Sequence, residues 1–255
     1  NININNINNN INRLHSTGSS SSTSLAAAYK KVFVAGGSKG VGKLVVQKLV
    51  QAGSEVVALV RSDDAAKELA GIKGVTPIQG DAFIYKDVEG AIDGCDAVVT
   101  TLGGATGDEG NRIDYEGNSH VIEAAGILGV SRVVLVTSIG CGTSKEAAPP
   151  QVFEVLKDVL AAKERAENVL IKYYTTTDWT IIRPGGLKTE PMTGKAILTE
   201  DAKAIGSIHR EDVADLVVQA LGSSNTKRKV LSAFDPSITA AVNSEGTEIE
   251  AFALA

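Results

Sequence analysis

Lys39, Arg61, Ser138 and Lys163 are the side chains placed to do chemistry, and glycines crowd around the first of them. The stretch Lys31 to Gly42 reads KVFVAGGSKGVG: the apolar run Val32-Phe33-Val34-Ala35 gives way to a glycine-dense turn, and an amphipathic segment, Val41 to Leu49, follows. Strand, turn and helix in that order make a cradle for a phosphate. Side chains at Gly36, Gly40 and Gly42 would hold an anion away from the backbone N–H groups that open the helix, where the dipole adds about 0.3–1 kcal/mol. Ser38, Lys39 and Val41 complete the turn. A glycine triplet alone is equally consistent with an ordinary tight turn, so the residues beyond it decide.

Arg61 follows directly on the apolar strand VVALV, where a dinucleotide fold that prefers NAD carries Asp or Glu. A carboxylate there repels a ribose 2′-phosphate, whereas a guanidinium grips it with paired hydrogen bonds. Arg61 and Lys39 together favour NADP over NAD; as isolated residues each would be a solvated surface cation. Asp81 and Ala82 sit in the turn Gln79-Gly80-Asp81-Ala82 after the third strand, where Asp81 either meets an adenine edge or caps the turn. After the fourth strand, Thr101, Leu102 and Gly103 let a cofactor's middle run close to the backbone.

Two residues are candidates for the reaction itself. Ser138 ends Val136-Thr137-Ser138 at the carboxyl end of the fifth strand, and it either donates to substrate or nicotinamide or simply closes the strand. Lys163 falls on the stripe Val152, Val155, Leu156, Val159, Ala166 and Leu170, which has helical spacing. An inward ammonium needs partners, which ribose hydroxyls would supply unless the lysine snorkels from the stripe's edge. Cys141 has no visible activating neighbour and reads as inert. His120 and His209 are isolated and read as structural, and Asp212 reads as a first-turn residue of a helix.

The elements that must position these residues alternate short β-branched runs with amphipathic segments, the pattern of a parallel sheet covered on both faces. The predicted strands are 31–35, Glu55 to Val60, Val75 to Gln79, Ala97 to Thr101, Arg132 to Thr137, Trp179 to Arg183 and Lys229 to Ala233. The predicted helices are Val41 to Gln51, Ala65 to Ala70, Lys86 to Ile92, Asn118 to Leu128, Val152 to Lys172 and Glu211 to Leu221. The fold class is therefore α/β, a single doubly wound Rossmann domain over 31–236 with a mostly parallel seven-stranded sheet. Pro184 to His209 is read as a long loop over the substrate, and 237–255 as a tail that docks as a short helix or stays loose.

Hydrophobic content of 43% over 255 residues suffices for a core, and a formal net charge of −5 without a basic stripe argues against nucleic acid. No apolar run reaches membrane-spanning length. The two cysteines, Cys95 and Cys141, have no metal-ligand spacing, and no metal is expected. Residues 1–30 begin NININNINNNIN and continue into a Ser/Thr tract, and acidic residues are absent until Glu55. This is either a transit-peptide-like segment, implying an organelle and a plastid before a mitochondrion, or a disordered extension with no address; without an address the protein would be cytoplasmic.

AGGSKGVG, LVRS at Leu59 to Ser62, QGDA at Gln79 to Ala82, VTS at Val136 to Ser138 and IIRPGGL at Ile181 to Leu187 together resemble the atypical short-chain dehydrogenase/reductases. That group contains NmrA-like and NAD(P)H-binding proteins and the biliverdin IXβ/flavin reductases, to which Glu190 to Leu221 is especially similar. The resemblance implies NADP(H) as cofactor, with Gly36, Gly40 and Gly42 as cofactor glycines, Arg61 on the 2′-phosphate, Ser138 as active-site serine, and Pro184, Gly185, Gly186 and Leu187 beside nicotinamide. It also implies a Tyr-x-x-x-Lys pair, in which Lys163 fits but Val159 stands for the tyrosine. Carbonyl reduction thereby loses its usual acid. Hydride transfer to a flavin, quinone or tetrapyrrole, a small-molecule acceptor that takes its proton from water, remains feasible. The alternative is a non-catalytic NADP-binding redox sensor or an accessory subunit of a larger organelle complex; a nucleotide-sugar epimerase would need the missing tyrosine.

Overall fold

The computed structural model describes residues 28–104, 107 and 112–254, so nearly all of the low-complexity segment with its expected address lies outside the described residues. Strands β1 (Lys31–Ala35), β2 (Glu55–Val60), β3 (Val75–Gln79), β4 (Ala97–Thr100), β5 (Arg132–Val136) and β6 (Asp178–Pro184) alternate with helices α1 (Gly40–Gln51), α2 (Asp63–Ala70), α3 (Tyr85–Ile92), α4 (Asn118–Ile127) and α5 (Pro150–Tyr173). There follow β7 (Gly186–Lys188), β8 (Ile197–Thr199), β9 (Ser207–His209), α6 (Arg210–Gly222) and β10 (Lys229–Phe234).

The main sheet has eight strands in the order β3-β2-β1-β4-β5-β6-β10-β8. Seven match the predicted runs; the eighth, β8, pairs antiparallel with β10. It lies in the segment read as a loop, which also holds β7 and β9, paired in parallel in a sheet of their own. Three residues each, these strands are too short to show an alternating pattern. Phe252 N–H donates to Leu198 O at 2.7 Å, so the chain after β10 covers the outer edge of β8.

Every position of β1 from Val32 to Ala35 is buried, because both faces of a parallel sheet are covered. Val32 and Val34 pack with Val45, Val46 and Leu49 of α1 and Val213, Leu216 and Val217 of α6. Phe33 and Ala35 point the other way, toward Ile92 of α3, Ile122 of α4 and Ala166 and Leu170 of α5. The N-terminal half of α5 departs from the predicted stripe: Val152, Val155 and Leu156 are exposed, Val155 at 82%. A helix of 24 residues is about 36 Å long and overreaches strands of five, so its first turns meet no sheet.

One buried cation ties the sheet to α6. The Arg132 guanidinium is enclosed and donates to Ala220 O, Leu221 O, Asp178 O, Thr180 Oγ1 and Thr226 Oγ1. It thereby caps the carbonyl end of α6, the negative pole of the helix.

Candidate active site

β1 has β2 on one side and β4 on the other, both parallel, so the chain reverses its direction of travel across the sheet between β1 and β4. Connections leave those two strands in opposite directions and open a crevice at their carboxyl ends. A cleft of about 500 Å³ occupies that place.

The turn after β1 forms its floor. A Cβ on Gly42 would stand 2.2 Å from Gly36 O and 2.4 Å from Thr101 Oγ1, and one on Gly36 would stand 2.8 Å from the same hydroxyl. Thr101 Oγ1 in turn donates to Ala35 O at 3.0 Å, which fixes the hydroxyl there. These contacts bring the turn and the end of β4 closer than any side chain would permit. α1 begins at Gly40 with no side-chain cap and no acidic residue in its first turn, whereas α2 is capped by Ser62 and carries Asp63 and Asp64. An uncapped N-terminus with small residues around it leaves donors for an anion.

The cleft is lined by Gly36, Ser38, Lys39, Gly40, Val41 and Gly42 from this turn, and by Arg61, Asp81, Ala82, Thr101, Leu102 and Gly103 from the ends of β2, β3 and β4. Ser138, Lys163, Pro184 and Leu187 line its other end. Asp81 Oδ1 accepts from Phe83 N–H at 3.0 Å, and Asp81 N–H donates to Asp87 Oδ2 at 2.9 Å, so the residue braces its own turn. Gly185 and Gly186 lie outside the lining. A Cβ on Gly185 would stand 2.2 Å from Gly206 O, and Gly186 N–H donates to Gly206 O at 2.9 Å. These glycines join β7 to β9 rather than border the cleft.

Lys163 meets a partner that the sequence reading missed. Its Nζ donates to Asp114 Oδ1 at 2.6 Å, with 13% of the lysine side chain exposed and none of the aspartate. Asp114 sits in a π-helical turn, Ile113–Gly117, ahead of α4. Burial pushes its carboxyl up, and the Lys163 charge and hydrogen bond oppose the shift. Gly103 makes room for the pair: a Cβ there would stand 2.1 Å from Asp114 Oδ1 and 2.7 Å from Lys163 Nζ.

Behind Ser138, Thr137 Oγ1 donates to Glu167 Oε1 at 2.7 Å. The Ser138 hydroxyl donates to Ile139 O at 3.0 Å. Arg210, at the first turn of α6, also lines the cleft and donates to Thr189 Oγ1 at 2.8 Å; it too was missed. Cys141 is enclosed, and burial raises its thiol to about 12, which leaves it inert. His209, the last residue of β9, gathers with Asp212 and Asp235. Asp212 accepts from the N–H groups of Thr193 and Gly194, and Asp235 from Ser237, so both carboxylates are engaged in holding loops.

The arrangement fits a dinucleotide: a glycine floor, an uncapped helix start, cations at Lys39 and Arg61, and a lysine and serine at the far end. No helix among the described residues is long and apolar enough to cross a membrane. The NAD(P)H-binding family profile matches residues 36–224. Among curated relatives, YhfK of Bacillus subtilis, an uncharacterized sugar epimerase, is 34% identical over 80% of this chain and 92% of its own length. The chloroplastic protein At2g34460 of Arabidopsis thaliana is 33% identical over 81% of this chain and 77% of its own. Chloroplastic TIC 62 of Pisum sativum is 26% identical over 73% of this chain, which spans 39% of that protein. Among solved structures, ChuY, an anaerobilin reductase from Escherichia coli O157:H7, superposes with a TM-score of 0.74 at 30% identity, covering 83% of this chain and all of ChuY. Fold, cleft and family agree on a nicotinamide cofactor: the chain belongs to the NAD(P)H-binding family, among the atypical short-chain dehydrogenase/reductases.

Proposed function

We propose that the protein is an NADPH-dependent reductase that passes hydride to a planar acceptor such as a flavin, quinone or tetrapyrrole. The observation that carries this reading is one continuous cleft that runs from the uncapped glycine turn, past Arg61, to Ser138 and Lys163. NADPH, when bound, supplies the hydride. Gly36, Gly40 and Gly42 give its pyrophosphate access to the start of α1, Lys39 and Arg61 neutralise the 2′-phosphate, and Lys163 holds the nicotinamide ribose. The Ser138 hydroxyl, turning from Ile139 O, donates to the acceptor or to the carboxamide. Pro184 and Leu187 exclude water above the reacting atoms, so positioning and dehydration provide most of the rate. With Val159 where a tyrosine acid would stand, the proton reaches the reduced acceptor from water. The similarity to ChuY supports a tetrapyrrole among the candidates, and the cation Arg210 at the mouth suits an acceptor with acidic substituents.

A plastid is the proposed compartment, supported by the chloroplastic relatives and by the composition of residues 1–30, although bacterial relatives serve elsewhere. The absence of a tyrosine at position 159 favours one other reading, an NADP-binding subunit or sensor without turnover, as does the likeness to TIC 62. Incubation of the purified protein with NADPH and, separately, FMN, a quinone or a biliverdin discriminates the two. Oxidation that is lost in the Ser138→Ala/Lys163→Ala double variant is expected. Tight NADPH binding without oxidation by any acceptor would reject the reductase.

A further inference from the structure

We propose that Asp114 is the positioning residue for Lys163, taking over from the opposite wall of the cleft the restraint that a residue on α5 itself does not supply. This inference rests on the cofactor reading above. Four residues before Lys163 on α5 stands Val159, which offers no hydrogen bond, whereas Asp114 Oδ1 lies 2.6 Å from Nζ.

The turn that carries the carboxylate is held in place independently of the lysine. The π-helical turn Ile113–Gly117 inserts it beneath Gly103, at a point where the Cβ of any other residue at 103 would collide with it. Asn118 locks that turn to the end of β4: its Nδ2 donates to Asp114 O at 2.9 Å, and its Oδ1 accepts from Thr100 Oγ1 at 2.6 Å. Asp114 is fully buried, and its Oδ2 has no hydrogen-bond partner among the described residues. A carboxylate with an oxygen left unpaired is an unfavourable way to build a turn. The Lys163 ammonium provides its compensation. That bond uses one of the three N–H donors of Lys163 and leaves two for hydroxyls in the cleft that the lysine lines. Asp114 itself does not touch the ligand; it sets the direction of the donors that do.

A double-mutant cycle with Asp114→Asn, Lys163→Met and the double variant tests this, with the full chain, NADPH fluorescence for Kd, and turnover of whichever acceptor the wild type reduces. Asp114→Asn is expected to weaken NADPH binding about 10–100-fold, the worth of a charge-assisted bond. Lys163→Met should do the same, and the double variant should be no worse than either single one. In turnover, kcat should fall while the acceptor's KM stays within about twofold, a split that general loosening of the turn would not give. Wild-type affinity in Asp114→Asn, or losses that add in the double variant, would overturn the role of Asp114 and leave the cofactor reading intact. Failure of the wild type to bind NADPH would overturn both. Thermal melts of all four proteins identify a variant that has failed to fold, and Asp114→Ser, with less bulk in the same place, then replaces Asp114→Asn in the cycle.

Discussion

Arg183 grips Glu167 through two hydrogen bonds, Nε to Oε1 at 3.0 Å and Nη2 to Oε2 at 2.6 Å, with both side chains almost wholly enclosed. Glu167 is one helical turn beyond Lys163 on α5, and Arg183 is the arginine of IIRPGGL on β6. The fork therefore fixes the height of α5 against the sheet, and with it the reach of Lys163 into the cleft. Thr137 donates to the same Oε1, and Arg183 Nη1 to Thr143 Oγ1, so the strand end before Ser138 belongs to one network.

Breaking one side of this pair leaves an enclosed charge without its partner. Arg183→Met is expected to cost about 3–5 kcal/mol in urea unfolding, and Arg183→Met with Glu167→Leu distinctly less. A double variant at least as unstable as the single one would contradict this account of the pair.

In the proposed reading, Arg61 separates the two nicotinamide cofactors. Arg61→Ala should lose roughly 1.5–3 kcal/mol of NADPH binding, about 10–100-fold, while NADH affinity changes little. Equal NADPH affinity in mutant and wild type, measured by fluorescence titration, would remove Arg61 from the 2′-phosphate.

Two helical glycines should answer oppositely to alanine. At Gly42 the added Cβ meets the backbone oxygen of Gly36 at 2.2 Å, and at Gly90 of α3 it meets nothing within 4 Å. Gly90→Ala should stabilise by about 0.5–1 kcal/mol through helix propensity. Gly42→Ala should lose stability and NADPH affinity together, since the turn must open to admit the methyl group. Thermal melts with and without nucleotide read both effects.

The Cys141 thiol sets an alkaline limit. Its folded value of about 12 lies above its ordinary 9.0 because burial disfavours the thiolate. The native state keeps the proton while the unfolded chain releases it, so the contribution is complete below pH 9.0 and is lost between 9.0 and about 12. Each pH unit in that window removes about 1.4 kcal/mol. Cys141→Ala should flatten this part of the stability curve, and alkylation of the native thiol near neutral pH should be slow.

The sequence made the strand-turn-helix from Lys31 to Gln51 legible because glycine, apolar run and helical period coincide there, and the strand ends after which Arg61 and Ser138 stand were legible too, which brings both to the lining of the cleft. Asp114 was hidden. Nothing in IDYEGN marks an aspartate as buried, and its partner stands 49 positions away. Arg210 carries no signal in the sequence beyond its place just before the helix read from Glu211, and only the fold brings it to the cleft. The stripe on α5 was periodic to its first turn, but periodicity reports a face and not whether a sheet lies under it. Gly185 and Gly186 were matched to the nicotinamide through their motif, whereas the close approach they permit is to Gly206. Short strands such as β8 depend on pairing with β10, a long-range contact that local pattern does not encode.

The proposed reaction is hydride transfer from NADPH within this cleft. Its most direct measurement is the rate of NADPH oxidation with FMN, a quinone and a biliverdin, compared between ordinary NADPH and NADPH deuterated at the transferring carbon. Oxidation is expected with at least one acceptor, slower with the deuterated nucleotide and abolished by Lys163→Ala with Ser138→Ala. Saturable binding of NADPH with no oxidation by any of the three would contradict it.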